Sequence, residues 1–413
     1  MKLFTDCYTD GAHFKRFLGT LILSGVAYGL YKGIQDNYLS EIVHIGAFER
    51  GIVEFCREIP GLLVVLLLAL MYRFSESRIF KMGIVLMLAG VAGLAVSTAA
   101  LGNIKLVVVL FMVVFSFGEH IIMPVRSTIS LDIAKSGKGG VSLGITGSIG
   151  QIGNIVGYLL VSVIFFVFAK FGHTTGNVDG TVNVISVIPF RSVFVAATVL
   201  MLGSAGIALS MDKTKLKSQR KRFYFARKFK TYYILEVFYG ARKQVFFTFA
   251  PYVIIRHYGA SASVISLLLA VSALACAFFG PITGKIIDKI GYKPVMVADT
   301  LILIAVCFFY GFAHRLFPMN IAFIVVCVNY IFDAIISLAS MATNVYVKSL
   351  SDSQEELTAT LSTGISVNHV ITLFIAVAGG LIWEKIGIEA LFTLSAFFGL
   401  LNSLFAAAIK VKK

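Results

Sequence analysis

Fourteen ionisable side chains stand inside long apolar runs of this 413-residue chain: Lys32, Asp36, Glu54, Arg57, Glu58, Glu119, His120, Arg126, Glu236, Arg242, Lys243, Asp299, Asp333 and His369. Groups of these types can bind and release protons, hold a charged small molecule, or neutralise one another. At the middle of a bilayer each costs about 2.5–3.5 kcal/mol on insertion scales, so a set this large must face partners, a wet cavity or a pathway rather than lipid. Glu119 and Asp333, at mid-depth in their runs, are the candidates for carrying protons, because a carboxylate changes its proton affinity with hydration and with an approaching cation. Lys32, Arg242 and Lys243 offer positive charge to an anionic or zwitterionic molecule, and Tyr28, Gln151 and Asn329 offer neutral hydrogen bonds. Asp36, Glu54, Arg57, Glu58, His120, Glu236 and His369 complete a cluster that either pairs internally or gates.

The elements that must position these residues follow from composition. The chain is 58% hydrophobic and 14% charged, with a mean hydropathy of +0.89. So few charges cannot cover a water-facing surface, which excludes a soluble protein. Twelve apolar runs, at 17–38, 51–72, 80–101, 106–131, 141–168, 190–210, 232–255, 263–283, 294–313, 319–345, 357–383 and 390–409, are each long enough to cross a bilayer as a helix. They lack period-two alternation, so membrane helices are expected and a barrel is not.

Basic residues concentrate in the loops of one side, while Arg50, Lys105, Lys170, Arg191, Arg256, Arg315 and Lys385 fall on the other. That asymmetry places both termini in the cytoplasm. The basic segment 212–230, DKTKLKSQRKRFYFARKFK, divides the chain into six helices (1–211) and six helices (231–413). Its interleaved aromatic residues fit a segment lying on anionic membrane lipid better than a nucleic-acid platform, so no nucleic acid is expected as a partner despite the net charge of +15. The five cysteines are scattered and set no disulfide or metal framework, and no metal or cofactor is expected. The first run shows no cleavage site and is expected to remain in the mature protein.

Spacing within the runs sharpens the picture. Gly25, Gly29 and Gly33 form a ladder of small residues for close helix contact, beside Tyr28, Lys32 and Asp36. Asn329, Asp333, Ser337, Ser340 and Asn344 form one polar stripe down helix 10, echoed by Thr358, Ser362, Ser366 and His369 on helix 11. Lys32 and Glu58 are level enough to pair. Glu54, Arg57 and Glu58, at i, i+3 and i+4, read as a cluster pinning helix 2 to helix 1, or else as solute contacts. Helices 3, 6 and 12 contain none of the fourteen groups, which implies a period of three helices with one facing lipid. Asp299 is the exception on helix 9, and near the cytoplasmic headgroups it is expected to stay wet.

The loop after helix 8, GKIIDKIGYK, with Gly284, Asp288, Gly291 and Lys293, resembles the signature loop of the major facilitator superfamily. Between helices 2 and 3 the corresponding MYRFSESRIFK keeps Arg73, Glu76, Arg78 and Lys81 without the glycine frame. The resemblance, which spans the chain, implies two pseudo-symmetric six-helix bundles that rock about a central site lined by helices 1, 4, 7 and 10, with Asp288 and Lys293 helping to hold the cytoplasmic side closed. It further implies a secondary transporter, multi-pass in a membrane, binding a small-molecule solute and a coupling ion, the proton first. Gly144, Gly153 and Gly157 on helix 5 resemble the glycine spacing of proton-driven exporters, but Tyr158 and Val161 break that motif, and close packing is the other reading. An exporter is therefore the second expectation. A membrane-embedded enzyme lacks a convergent catalytic or metal set, and a channel lacks a filter loop. The absence of any Asn-x-Ser/Thr sequon fits a bacterial inner membrane, and a monomer is expected.

Overall fold

The computed structural model describes residues 8, 11–71, 73–97, 104–136, 138–172, 186–211 and 224–409. Helix accounts for the long elements among them, in order α1 (Gly11–Asn37), α2 (Ala47–Leu70), α3 (Glu76–Ser97), α4 (Ile104–Asp132), α5 (Gly139–Lys170) and α6 (Ile188–Leu209). The second half follows with α7 (Lys230–Arg256), α8 (Ala262–Ile290), α9 (Tyr292–Leu316), α10 (Met319–Leu350), α11 (Gln354–Lys385) and α12 (Ile388–Ala407). Among the described residues, ten of these are long and apolar enough to cross a membrane. The exceptions, α2 and α7, are the two richest in clustered charge.

The chain folds into two compact units. The first comprises residues up to His44, Ile59–Arg220 and Ser261–Ala270; the second comprises Ile45–Glu58, Lys221–Ala260 and Val271–Lys413. Inside the first unit α1 packs on α5 and α6, and α3 packs on α4 and α6. Inside the second, α7 packs on α11 and α12, and α9 packs on α10 and α12. The same four pairings thus recur with an offset of six helices, the mark of a structural repeat.

Without water to drive apolar faces together, helices in lipid associate where small residues let their backbones touch. The α1 ladder does this against α5. A Cβ on Gly25 would stand 2.9 Å from the Gly150 carbonyl oxygen, and one on Gly29 would collide with the Asn154 carbonyl oxygen and lie 2.9 Å from Gly157 Cα. Gly153 and Gly157 therefore serve close packing, whereas a Cβ on Gly144 would meet nothing within 4 Å.

Each half also ties the entry of its third helix to the exit of its sixth. Lys81 Nζ donates to the carbonyls of Leu209 (3.2 Å), the last residue of α6, and of Met211 (2.6 Å), just past it. Lys293 Nζ donates to the Ile409 carbonyl at 2.8 Å, just past α12. A cation at unsatisfied C-terminal carbonyls completes their hydrogen bonds and opposes the helix dipole.

Of the basic segment, residues 212–223 lie outside the described residues, and Arg227–Phe229 forms a 3₁₀ turn with Phe229 buried. Lys228 Nζ bridges Asp352 Oδ2 (2.6 Å) and Glu356 Oε2 (2.8 Å), Tyr224 donates its hydroxyl to Glu356 Oε1 (2.7 Å), and Ser353 caps α11 by accepting from the Glu356 amide (3.1 Å). These bonds hold the Glu356 carboxyl down at about 2, led by the Lys228 ammonium, and hold the Lys228 ammonium above the usual lysine range. A carboxyl so depressed keeps its clasp above the ordinary glutamate range and loses it only as the pH falls through about 2. Glu356→Gln is therefore expected to speed tryptic cleavage after Arg227 and Lys228 at neutral pH. The wild type should resist such cleavage, and equal rates in the two proteins would contradict the clasp.

Candidate functional site

In the second unit α2 starts at Ala47, so Arg50 is a helix residue and not part of a loop. Positions 50, 54, 57 and 58 then share one face. Arg50 Nη1 lies 2.8 Å from Glu54 Oε2, and Arg57 grips Glu54 with both Nη2 (2.8 Å to Oε1) and Nε (3.2 Å to Oε2). Arg57 Nη2 also reaches Glu58 Oε1 at 3.2 Å, and Glu58 Oε2 meets His369 Nδ1 of α11 at 2.9 Å. The Arg57 guanidinium lies 5.6 Å from the Phe247 ring of α7, and that of Arg50 lies 5.9 Å from the Tyr252 ring. Two arginines and two glutamates balance, and the paired charges tie α2 to α7 and α11. The i, i+3, i+4 cluster takes in Arg50 as an additional member and His369 at its end, and these contacts run to α7 and α11 where the spacing suggests a pin to helix 1.

The second charged node of this unit joins α7, α9 and α10. Arg242 is buried and donates from Nη2 to Asp299 Oδ2 (2.9 Å) and Oδ1 (3.3 Å), with its guanidinium 5.0 Å from the Tyr239 ring. Asp299 is therefore not the wet outlier expected from its depth in the sequence: it is 7% exposed and is the counter-ion of Arg242. A guanidinium cannot be buried without a counter-charge, and α9 supplies it. Asp333 of α10, half-buried, acts electrostatically on the same arginine.

Lys243, next along α7, is exposed and acts on Glu236 of the same helix. Glu236 accepts from Asn368 Nδ2 of α11 at 3.2 Å. Asn329 turns its amide back to the Val325 carbonyl at 2.8 Å. The polar stripe is not continuous, because Ser337–Ser340 forms a 3₁₀ turn inside α10. There the Ala334 carbonyl accepts from Ser337 Oγ (2.6 Å) and from Cys276 Sγ of α8 (3.3 Å). Such a mid-helix 3₁₀ stretch often marks a hinge.

In the first unit Lys32 is half-buried and donates to Gln35 Oε1 at 3.1 Å, and Asp36 is buried. Tyr28 faces Phe115 of α4 with ring centroids 6.2 Å apart. Glu119, half-buried on α4, acts electrostatically on buried Tyr158 of α5. His120 is buried with Nδ1 at 3.1 Å from Ser116 Oγ and 2.9 Å from the Ser116 carbonyl oxygen. Gln151 is exposed.

Of the signature residues, Gly284 and exposed Asp288 lie within α8. Gly291 takes a φ of +85°, which a residue with a Cβ adopts only under strain, and this turns the chain into α9 one residue before Tyr292. Lys293, two residues on, makes the α12 contact described above.

The sequence model of the Major Facilitator Superfamily matches residues 232–413. No curated protein matches the chain in sequence. Among solved structures, the chain is similar to an aspartate-to-alanine point mutant of the nucleoside transporter NupG, with TM-score 0.74, 13% identity, and coverage of 97% of this chain and all of that one. A D-xylose–proton symporter gives TM-score 0.73 at 14% identity over 96% of this chain and 98% of its own, and a bacterial homologue of the iron transporter ferroportin gives 0.71 at 11% over 96% and 97%. At such identities the structural likenesses establish the fold.

Asp299→Asn leaves the Arg242 charge buried without its counter-ion. The substitution is expected to cost about 3–5 kcal/mol, whereas Arg242→Met with Asp299→Leu should recover most of that loss. Thermal unfolding of the purified variants checks this, and a single variant as stable as the wild type would show that the pair is not needed.

Proposed function

We propose that this chain is a transporter of the Major Facilitator Superfamily rather than an enzyme, and that it moves a small polar organic solute, anionic or zwitterionic, by alternating access coupled to protons. On this reading all twelve helices cross the membrane, a bacterial inner membrane, with both termini in the cytoplasm. The halves 1–211 and 231–413, joined by the basic segment 212–230, rock as a monomer about a central site. Asp288 and Lys293 belong to the gate on the cytoplasmic side.

The observation that carries the reading is the surplus acid at Arg242. One arginine faces two aspartates, and Asp299 already neutralises it. With Asp333 ionised the node holds one net negative charge; with Asp333 protonated it is neutral. A low-dielectric site favours the neutral state and a hydrated one tolerates the charge, so opening and closing bias proton binding at Asp333. Glu119 plays the matching part on α4 in the other half of the chain. Tyr28, Lys32, Gln151, Lys243 and Asn329 are the proposed solute contacts, together with Arg242, which comes to that role already held by Asp299. The fold neighbours that carry nucleosides, and D-xylose with protons, support a polar organic solute and proton coupling.

The test is uptake into proteoliposomes under an imposed proton gradient, after a thermal-shift screen of the purified protein against anionic, zwitterionic and cationic metabolites. An anionic or zwitterionic hit should be driven by the gradient in the wild type. Asp333→Asn and Glu119→Gln should still bind it but lose gradient-driven uptake. Gradient-independent uptake unchanged in both variants would overturn proton coupling, and binding confined to lipophilic cations would overturn the solute class.

A further inference from the structure

The first apolar run ends, by composition, at Tyr38. The helix does not: α1 continues through a π-helical turn, Tyr38–Ile42, closed by the Val43 amide donating to the Tyr38 carbonyl at 3.1 Å. Such turns insert a residue into the helical register and recur at functional sites. Here the turn carries Glu41 into the interior, where it is 8% exposed.

The surroundings of Glu41 differ from those of the arginine-paired acids Glu54, Glu58 and Asp299. Its Oε1 accepts from Asn37 Nδ2 at 2.5 Å, and Asn37 is itself fully buried. Among the described residues its Oε2 has no hydrogen-bond partner, and neither has Nε2 of Gln35, a residue only 1% exposed. The turn is walled by aromatic rings, with Tyr38 at 4.9 Å from Phe194 and 5.9 Å from Phe190 of α6, and Phe165 of α5 at 5.0 Å from Phe190. The Ser97 side chain of α3 lies beside the Tyr38 hydroxyl.

The charged and titratable groups at this end of the unit include, among the described residues, Lys32, Asp36, Tyr38 and exposed His44 on the α1 segment, half-buried Lys105 at the start of α4, exposed Lys170 on α5 and exposed Arg191 on α6; α3 ends there in Ser97. Burial and the Asn37 amide dominate the environment of Glu41. Glu54 and Asp299 are each gripped by an arginine; Glu41 has one neutral amide. An ionised carboxylate in such a place would lose most of its hydration energy without compensation, and the neutral acid loses little of it. A metal cation in place of the proton would require several further oxygen ligands.

We propose that Glu41 is a proton-binding carboxyl, held as the neutral acid while the π-helical turn is packed and ionised when that turn opens to water. Proton release is thereby tied to unpacking of the C-terminal end of α1. The inference rests on the proton-coupled reading for its part in transport, but the protonation itself can be measured without any solute.

The measurement is infrared difference spectroscopy of the full chain in lipid nanodiscs, stepped between acid and alkaline pH. At neutral pH the wild type should show a protonated-carboxyl C=O band that is missing from Glu41→Gln and retained in Asp333→Asn and Glu119→Gln. Asn37→Leu, which removes the one donor, should shift that band. Identical spectra for wild type and Glu41→Gln, or a band unmoved by Asn37→Leu, would overturn the assignment. So would stabilisation of the wild type, but not of Glu41→Gln, by sodium or magnesium ions at fixed pH. Because these spectra involve no transport, the proposal can fail while Asp333→Asn still uncouples uptake, and the reverse can also occur.

Discussion

A charge inside a low-dielectric bundle must meet an opposite charge, reach water, or give up its ionisation, and the arrangement of this protein follows from that constraint. Glu54 sits between Arg50 and Arg57, and Arg242 sits against Asp299. The same demand extends to partial charges. The carbonyls left over at the ends of α6 and α12 each receive a lysine ammonium, and the Ala334 carbonyl at the 3₁₀ turn of α10 receives a hydroxyl and a thiol. Where matching is incomplete, as at Asp333 beside an arginine already paired, the proposed proton binding would supply the balance.

The two halves meet this constraint with one plan. Their helix pairings recur with an offset of six, and Lys81 and Lys293 occupy equivalent places in that repeat. The contact made by Lys81 explains why a basic residue persists in MYRFSESRIFK although the glycines of the signature are gone. The glycine frame shapes a turn, whereas the lysine closes a helix, and the second task does not depend on the first.

Much of this is legible in the sequence. Apolar runs of membrane length with charges between them dictate the helical class, and the Gly25–Gly29–Gly33 ladder marks a close helix contact that α5 supplies. The residues that escape do so for local reasons. Arg50 counts with the loop bases because it precedes the apolar run at 51–72, yet α2 begins at Ala47 and Glu54 one turn later makes burial of the arginine feasible. Asp299 looks close to the headgroups because depth along a helix says nothing about which neighbour a side chain faces. Glu41 lies beyond the apolar run, and a π-helical turn has no periodicity that hydropathy can reveal. The polar stripe on α10 presumes an unbroken α-helix, and the 3₁₀ turn at Ser337–Ser340 interrupts that register.

The central claim is that the charge-bearing faces of these helices look away from lipid, and α10 tests it most directly because it carries both kinds of face. Val328 and Phe332 are exposed apolar residues, while the polar groups are Asp333 before the 3₁₀ turn and Ser340 and Asn344 at and beyond its end. Spin labels placed singly at 328, 332, 340 and 344 in the reconstituted protein can be compared for collision with oxygen, which concentrates in lipid, and with a water-soluble nickel chelate. The account predicts oxygen-dominated relaxation at 328 and 332 and nickel-dominated relaxation at 340 and 344. The opposite pattern, or oxygen dominance at all four positions, would put the polar side of α10 against lipid and contradict it.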